Sequence, residues 1–224
     1  MRLSVVIPIL NEARQLPDLF AHLLPLRRGG YEIIFADGGS TDGSAALVEV
    51  AGFRLVRAGR GRALQMNAGA AAASGEALLF LHADTRLPPG APRHVLRALA
   101  GGTHRWGRFD VCIDGRPFML KMVAAAMNAR SRWTGIATGD QAMFMRCETF
   151  RQLHGFPVQP LMEDVEMSKR LKKISPPACL RQCVNTSGRR WETRGVWRTI
   201  FLMWRLRWEY WRGIDAAVLA EQYQ

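Results

Sequence analysis

Four cysteines in 224 residues, Cys112, Cys147, Cys179 and Cys183, are too few and too scattered for a disulfide framework. Cys179 and Cys183 are half of a metal site at most, because no second pair or nearby histidine completes it. Reduced, packing cysteines in a cytosolic protein are the expectation. No apolar run reaches the roughly 18 residues that a membrane-crossing helix needs. The first apolar run, Leu3 to Leu10, alternates like a strand and ends in Asn11-Glu12, so no cleavable signal is expected. A nucleotidyltransferase would normally carry a Gly-rich phosphate loop after such a strand, and Pro8-Ile9-Leu10-Asn11-Glu12 stands there instead. Acidic residues are scarce, 19 against 31 basic ones, and internal repeats and low-complexity linkers are absent.

What is present reads as a folded chain. Apolar residues make up 48% and charged residues 22%, which separates it from disordered compositions. The length suits one domain, with or without an appendage. The net charge of +12 is uneven: eight arginines and two glutamates lie between Arg181 and Arg212. Such a patch seeks a polyanion, whether a phosphate-bearing ligand, an anionic membrane surface or nucleic acid.

Strand and helix patterns alternate through the first hundred residues. Strands are expected at Leu3–Ile9, Tyr31–Ala36, Arg54–Arg57 and Ala77–Leu81. Helices are expected at Ala13–Leu24, Ser44–Val50 and Arg62–Ala73, Pro17 being tolerable near a first turn. This rhythm predicts an α/β fold with a doubly wound, mostly parallel sheet. Past Gly101-Gly102 it changes, to strands at Trp106–Ile113 and Ala142–Arg146 and helices at Pro117–Arg130 and Asp164–Ile174. The Met- and Ala-rich helix at 117–130 reads as core or as a lipid groove.

Several segments carry polar groups at the ends of these elements. Asp37-Gly38-Gly39-Ser40-Thr41-Asp42-Gly43 is either a turn capped by Asp42 or Thr41 or a ligand site at a strand exit. Gly59 to Asn67 is a basic loop opening a helix, and so either an anion site or a solvated loop. His82 and Asp84 follow the strand at 77–81, as turn residues or as metal ligands. Glu163-Asp164 starts a helix, where acids complement the dipole or accept a proton. Asp140-Gln141 and Arg189-Arg190-Trp191 complete the set.

Taken in order, S-V-V-I-P-I-L-N-E, D-G-G-S-T-D-G, L-H-A-D-T and M-E-D-V-E-M resemble the family-2 glycosyltransferases of the GT-A fold. These pass a sugar from a nucleotide diphosphate donor to an acceptor nucleophile. The resemblance covers about residues 1–192. It implies one GT-A domain, with a nucleotide-binding half at 1–100 and an acceptor half at 101–192; a C-terminal helical tail at 193–224 lies outside it. Compact length, L-H-A-D-T, G-D-Q and S-G-R-R-W resemble in particular a small bacterial group associated with radical-SAM or selenoprotein-type genes.

Carried over, Asp37 meets the base and Asp42 the ribose, with Pro8, Asn11, Glu12, Arg62, Asn67 and Ala83 around the nucleotide. Asp84 holds a divalent ion, Mn²⁺ favoured over Mg²⁺, with His82 where the family's D-x-D has its first acid. Asp164 is the acceptor base beside Glu163. Asp140 and Gln141 orient donor sugar or acceptor, and Arg189, Arg190 and Trp191 face the leaving diphosphate. Ser187 replaces the glutamine of a processive Q-x-x-R-W motif. UDP is the first expectation for the nucleotide and GDP the second. The reaction expected is inverting transfer to a hydroxyl or phosphate acceptor, lipid-linked or small. Two rivals are a nucleotidyltransferase and a non-catalytic basic module for nucleic acid or membrane, and nucleic acid is not the expected partner.

In the tail, Trp197, Phe201, Trp204, Trp208 and Trp211 recur at alternating spacings of four and three, with Arg198, Arg205 and Arg212 beside them. This amphipathic helix suits the inner face of an anionic cell membrane, or packs its aromatics on the core or on a dimer mate.

Overall fold

The structure, a computed structural model, describes residues 1–223, save the side chains of Arg190 and Arg194. The first hundred residues form Leu3–Ile9 (β1), Leu16–Arg28 (α1), Glu32–Asp37 (β2), Ser44–Val50 (α2), Arg54–Arg57 (β3), Arg62–Ala72 (α3), Ala77–Phe80 (β4), Thr85–Arg86 (β5) and Ala91–Ala100 (α4). Then come Trp106–Asp114 (β6), Met119–Thr134 (α5), Phe144–Arg146 (β7), Cys147–Gln152 (α6), Glu163–Lys172 (α7), Ala178–Ser187 (β8), Arg189–Arg194 (α8), Val196–Trp211 (α9) and Ala216–Tyr223 (α10).

The strands make one sheet in the order β3-β2-β1-β4-β7-β6-β8-β5. β3, β2, β1 and β4 run parallel, β7 is antiparallel to both β4 and β6, β8 is parallel to β6, and β5 is antiparallel to β8. Chain order reverses at β1, with β2 on one side and β4 on the other, and such switch points open a crevice beyond the strand ends. The last residues paired between β1 and β4 are Val6 and Phe80, whereas β1 stays paired with β2 as far as Ile9 and Asp37. Pro8, which has no N–H to donate, therefore sits where β1 keeps a single partner.

Apolar residues fill both faces of the sheet. One side packs Leu16, Leu19 and Leu23 of α1, Val95 and Leu99 of α4 and Val123 of α5 on alternate strand residues such as Val5, Ile7 and Leu79. The other packs Ala63, Met66 and Ala70 of α3 and Met167 and Leu171 of α7 on Val6, Ile34 and Leu78. Gly69 lets α3 press on β1, since a methyl group there would overlap Val6. A smaller cluster joins Leu161, Met162 and Val165 to Leu206 of α9 and Leu219 of α10.

Several boundaries differ from the sequence reading. α1 begins at Leu16 rather than Ala13, because Asn11–Gln15 form a turn in which the Gln15 and Leu16 N–H groups both donate to the Glu12 carbonyl. The strand expected at 142–146 starts at Phe144, since Ala142 is in the left-handed region at φ 46°. The helix expected at 117–130 runs from Met119 to Thr134, with Met122 exposed and Val123 buried. β5, α4, α6, β8 and α8 were not foreseen, and α10 falls within the helical tail expected at 193–224. α9 narrows the choice left for the aromatic face to a membrane or a dimer mate. Trp197, Phe201, Trp204, Trp208 and Trp211 are 55–76% exposed, so these side chains do not pack on the core. The opposite face turns inward, with Thr199 and Leu206 buried and Val196, Ile200 and Leu202 packed beneath.

Candidate functional site

A cavity of about 530 Å³ lies where the switch point predicts a crevice. β1 and its exit contribute Pro8, Leu10 and Glu12, and the chain beyond β4 contributes His82, Ala83 and Asp84. Arg62 and Gln65 come from α3, Asp140 from the turn before β7, and Glu163 and Asp164 from α7. Arg189 and Trp191 of α8, Met203 and Arg207 of α9 and Tyr223 of α10 close the far side.

The charged groups fall into two sets. At the strand ends, Glu12 is pushed above the usual carboxylate range by burial and then by Asp84 and Asp42, against Arg189 and His82. Across the cavity, Glu163 is also raised, by burial and by Asp164, against Arg62 and His82. The Arg62 guanidinium lies 3.4 Å from Glu163. Burial lowers its pKa, but Glu163, Asp140 and Asp164 outweigh that and hold it above the usual arginine value. His82 links the two sets, with Nδ1 3.3 Å from Asp140. Its other ring edge rests on Gly139, where a methyl group would overlap the imidazole.

Asp164 is fixed from two directions. One carboxylate oxygen accepts the Gly139 N–H at 2.7 Å and the other accepts the Val165 N–H at 2.7 Å. The residue that starts its helix, Met162, is buried in the left-handed region at φ 64°. A long side chain in that conformation costs about 1–2 kcal/mol, which the surrounding packing must offset.

Other expected residues frame the cavity without lining it. Asp37 is buried, and its carboxylate accepts the Gly39 and Ser40 N–H groups. Asn11 accepts the Thr41 N–H, and Asp42 accepts from Ala13 and Ser44, so the loops after β1 and β2 are tied together. Asn67 directs both amide atoms at Phe156, accepting its N–H at 2.8 Å and donating to its carbonyl at 2.9 Å. Gln141 is buried and accepts the Thr138 N–H. Arg190 was expected at the diphosphate, and its side chain lies outside the described residues.

Three lining or adjoining groups were missed. Gln65 is buried and donates to the Ile9 and Ala36 carbonyls at 2.6 and 3.1 Å, bracing the ends of β1 and β2 behind Gly38. A glutamine at helical spacing gave no sign of this. Arg130 and Arg207 reach the Asp164 side from α5 and α9, and only tertiary structure brings them together.

The family model for glycosyl transferase family 2 matches residues 4–153. Over 159 residues the chain is 33% identical to an undecaprenyl-phosphate 4-deoxy-4-formamido-L-arabinose transferase of Pseudomonas fluorescens, covering 64% of this chain and 45% of that protein. The chain thus spans less than half the length of that curated relative. Among solved structures, S. aureus TarS in complex with UDP superimposes with a TM-score of 0.67 at 15% identity, over 84% of this chain and 60% of that one. Mannosyltransferase PcManGT from Pyrobaculum calidifontis, in complex with GDP-Man and Mn²⁺, gives 0.65 at 19% identity, over 92% and 60%. At these identities the likeness is one of fold, the GT-A type. With residues 4–153 of 224 matched by its model, the chain belongs to glycosyl transferase family 2.

Proposed function

We propose that the protein is an inverting glycosyltransferase moving a sugar from a nucleotide diphosphate donor, UDP first and GDP second, to a lipid-linked or small acceptor. The observation that carries this reading is the two-sided cavity at the switch point, with Glu12, Asp84 and Arg189 on one side and Asp140, Glu163 and Asp164 on the other. The donor lies over the strand ends near Pro8 and Ala83, with the nucleoside on the loops that Asp37, Asn11 and Asp42 brace. Arg189 and Trp191 face the diphosphate, where a guanidinium stabilises the leaving group.

The residues present fit a divalent ion, Mn²⁺ favoured over Mg²⁺. Such ions need one or two carboxylates when substrate phosphates supply the other oxygens. Asp84 is the first ligand, and Glu12, raised in part by Asp84 itself, is the second carboxylate on that side of the cavity. His82 is the other proposed ligand, and Asp140, 3.3 Å from its Nδ1, would orient the ring. Among the described residues no group of three or more metal-ligating side chains gathers, consistent with an ion held largely by substrate oxygens. The ion would neutralise charge developing on the leaving diphosphate.

Asp164 is assigned to the acceptor. Its two backbone hydrogen bonds fix its direction. An acceptor hydroxyl hands its proton to Asp164, whereas a phosphate acceptor arrives ionised and needs only alignment. The relatives' name points to undecaprenyl-phosphate, a lipid carrier, as the acceptor class. Among the described residues no helix is long and apolar enough to cross a membrane. The exposed aromatic face of α9, with Arg198, Arg205 and Arg212, is assigned to an anionic membrane surface.

The test is thermal stabilisation by UDP, GDP, TDP and CDP, each with and without Mn²⁺, in the wild type and in Asp84→Ala. A ligand at 100 times its Kd stabilises by about 2.7 kcal/mol. One nucleotide should stand out in the wild type, with the Mn²⁺ dependence lost in Asp84→Ala. Indifference to every nucleotide would refute the reading.

A further inference from the structure

Of the four arginines among the described residues with a shielded, unpartnered nitrogen, Arg108, Arg130, Arg146 and Arg207, it is Arg207 that lines the cavity and Arg130 that it acts on electrostatically. Nε and one Nη of Arg130 are shielded from solvent and have no hydrogen-bond partner, and the same holds for Nε of Arg207. A shielded guanidinium nitrogen without a partner is costly, and a ligand, ion or ordered water relieves that cost. The two are neighbours: Arg130 is pushed down to about 10 by burial and then by Arg207, against Asp164. Burial also lowers Arg207, against Asp164 and Asp140. The carboxylates that act on them are Asp164 and Asp140, whereas Arg189 acts on Glu12 of the donor side.

The two helices contribute in parallel fashion. α5 places Met127 on the cavity wall, with Arg130 one turn further along. α9 places Met203 on the same wall, with Arg207 one turn further along and itself lining the cavity. Leu161 and Val165 continue the apolar surface. Two cations and an apolar wall suit an amphiphilic anion. Two planar guanidinium forks match the charge and the oxygens of a phosphate monoester better than those of a carboxylate, which has two oxygens and one charge.

We infer that Arg130 and Arg207 form an acceptor subsite for a phosphate monoester, seated on the Asp164 side of the cavity with its alcohol portion along Met127 and Met203. This rests on the glycosyltransferase reading for the word acceptor, and on the unpartnered guanidinium nitrogens for the phosphate. It leaves Arg189 to the donor diphosphate and gives α9 a part in substrate recognition.

The test is calorimetric titration of the full chain with farnesyl phosphate, farnesol and inorganic phosphate, alongside UDP with Mn²⁺. Farnesyl phosphate should bind and farnesol should not. Arg130→Gln and Arg207→Gln should each weaken farnesyl phosphate by about tenfold or more while UDP binding stays. Arg130→Lys and Arg207→Lys, which keep the charge, should recover part of the loss and serve if a glutamine variant fails to fold. Binding of inorganic phosphate as tight as that of the ester would assign the site to a soluble phosphate, and a large preference for the ester to a lipid headgroup. Farnesyl phosphate binding untouched by all four variants, or farnesol binding equally well, would overturn the inference. A wild type that binds the phosphate ester but no nucleotide would instead sink the transferase reading and leave the subsite standing.

Discussion

Replacing Asn67 with alanine separates a nucleotide contact from a structural one. The family resemblance places this residue at the nucleotide, yet both its amide atoms bond the Phe156 backbone, at 2.8 and 2.9 Å. Each neutral hydrogen bond contributes about 0.5–1.5 kcal/mol net, and more when the orphaned partner is shut away from water. Phe156 is 2% exposed, so its freed N–H and carbonyl find little solvent. The expected loss is about 2–3 kcal/mol. For a chain of this size that lowers Tm by about 4–12 °C. Phe156 belongs to the stretch leading to Met162 and Asp164, so the damage falls on the acceptor side. Thermal denaturation followed by circular dichroism gives the stability, and titration with UDP and Mn²⁺ well below the variant's Tm gives the affinity. A lowered Tm with affinity within about twofold supports the structural role. An unchanged Tm with nucleotide affinity lost would refute it.

Other expectations are more local. Glu163 is raised above its ordinary value near 4.5, so its contribution to stability is full below that pH and is lost as pH rises through the folded-state value. Stability curves of wild type and Glu163→Gln should therefore move in the variant's favour as pH rises above about 4.5, and parallel curves would contradict the burial argument. Gly139→Ala should displace His82 from Asp140 and reduce transfer by about tenfold or more with the fold retained, which activity and circular dichroism together would check. Cys183, pushed up to about 12 by burial and by its contact with Cys112, should resist iodoacetamide at pH 8, and rapid labelling seen by peptide mass spectrometry would count against that packing.

The parts legible in the sequence were those where local pattern and tertiary position agree. Leu3–Ile9, Ser44–Val50 and Arg54–Arg57 have the boundaries that alternation and turn residues indicate. β8 was missed because it does not alternate: its register slips at Phe109/Asp110, where Leu180 and Cys183 pair with successive residues of β6, and most of its side chains are only partly covered. α4 was missed although Val95 and Leu99 are one turn apart, because Pro88-Pro89-Gly90 and Pro92 read as loop. The acids at the strand ends could be located from spacing alone. Which of them open onto the cavity could not, since Asp37 and Glu12 differ only in how the loops fold over them. Periodicity showed that α9 has an aromatic face, but not which way it points. An aromatic stripe ordinarily goes inward, and here Val196, Ile200 and Leu206 take that place.

α9 presents Met203 and Arg207 to the cavity and Trp204 and Trp208 to the outside. Each residue turns a helix by about 100°. Deleting a single residue ahead of Met203 would swing Arg207 off the wall and carry Trp208 into its place, whereas point changes on either face leave the phase intact. The helix is thus tolerant of substitution and intolerant of length change. Only insertions near whole turns, such as seven residues, restore the phase, and those lengthen the helix by about 10 Å. Divergence along this segment should proceed by replacement at fixed length, so that surface affinity and cavity chemistry drift separately while the angle between them stays fixed.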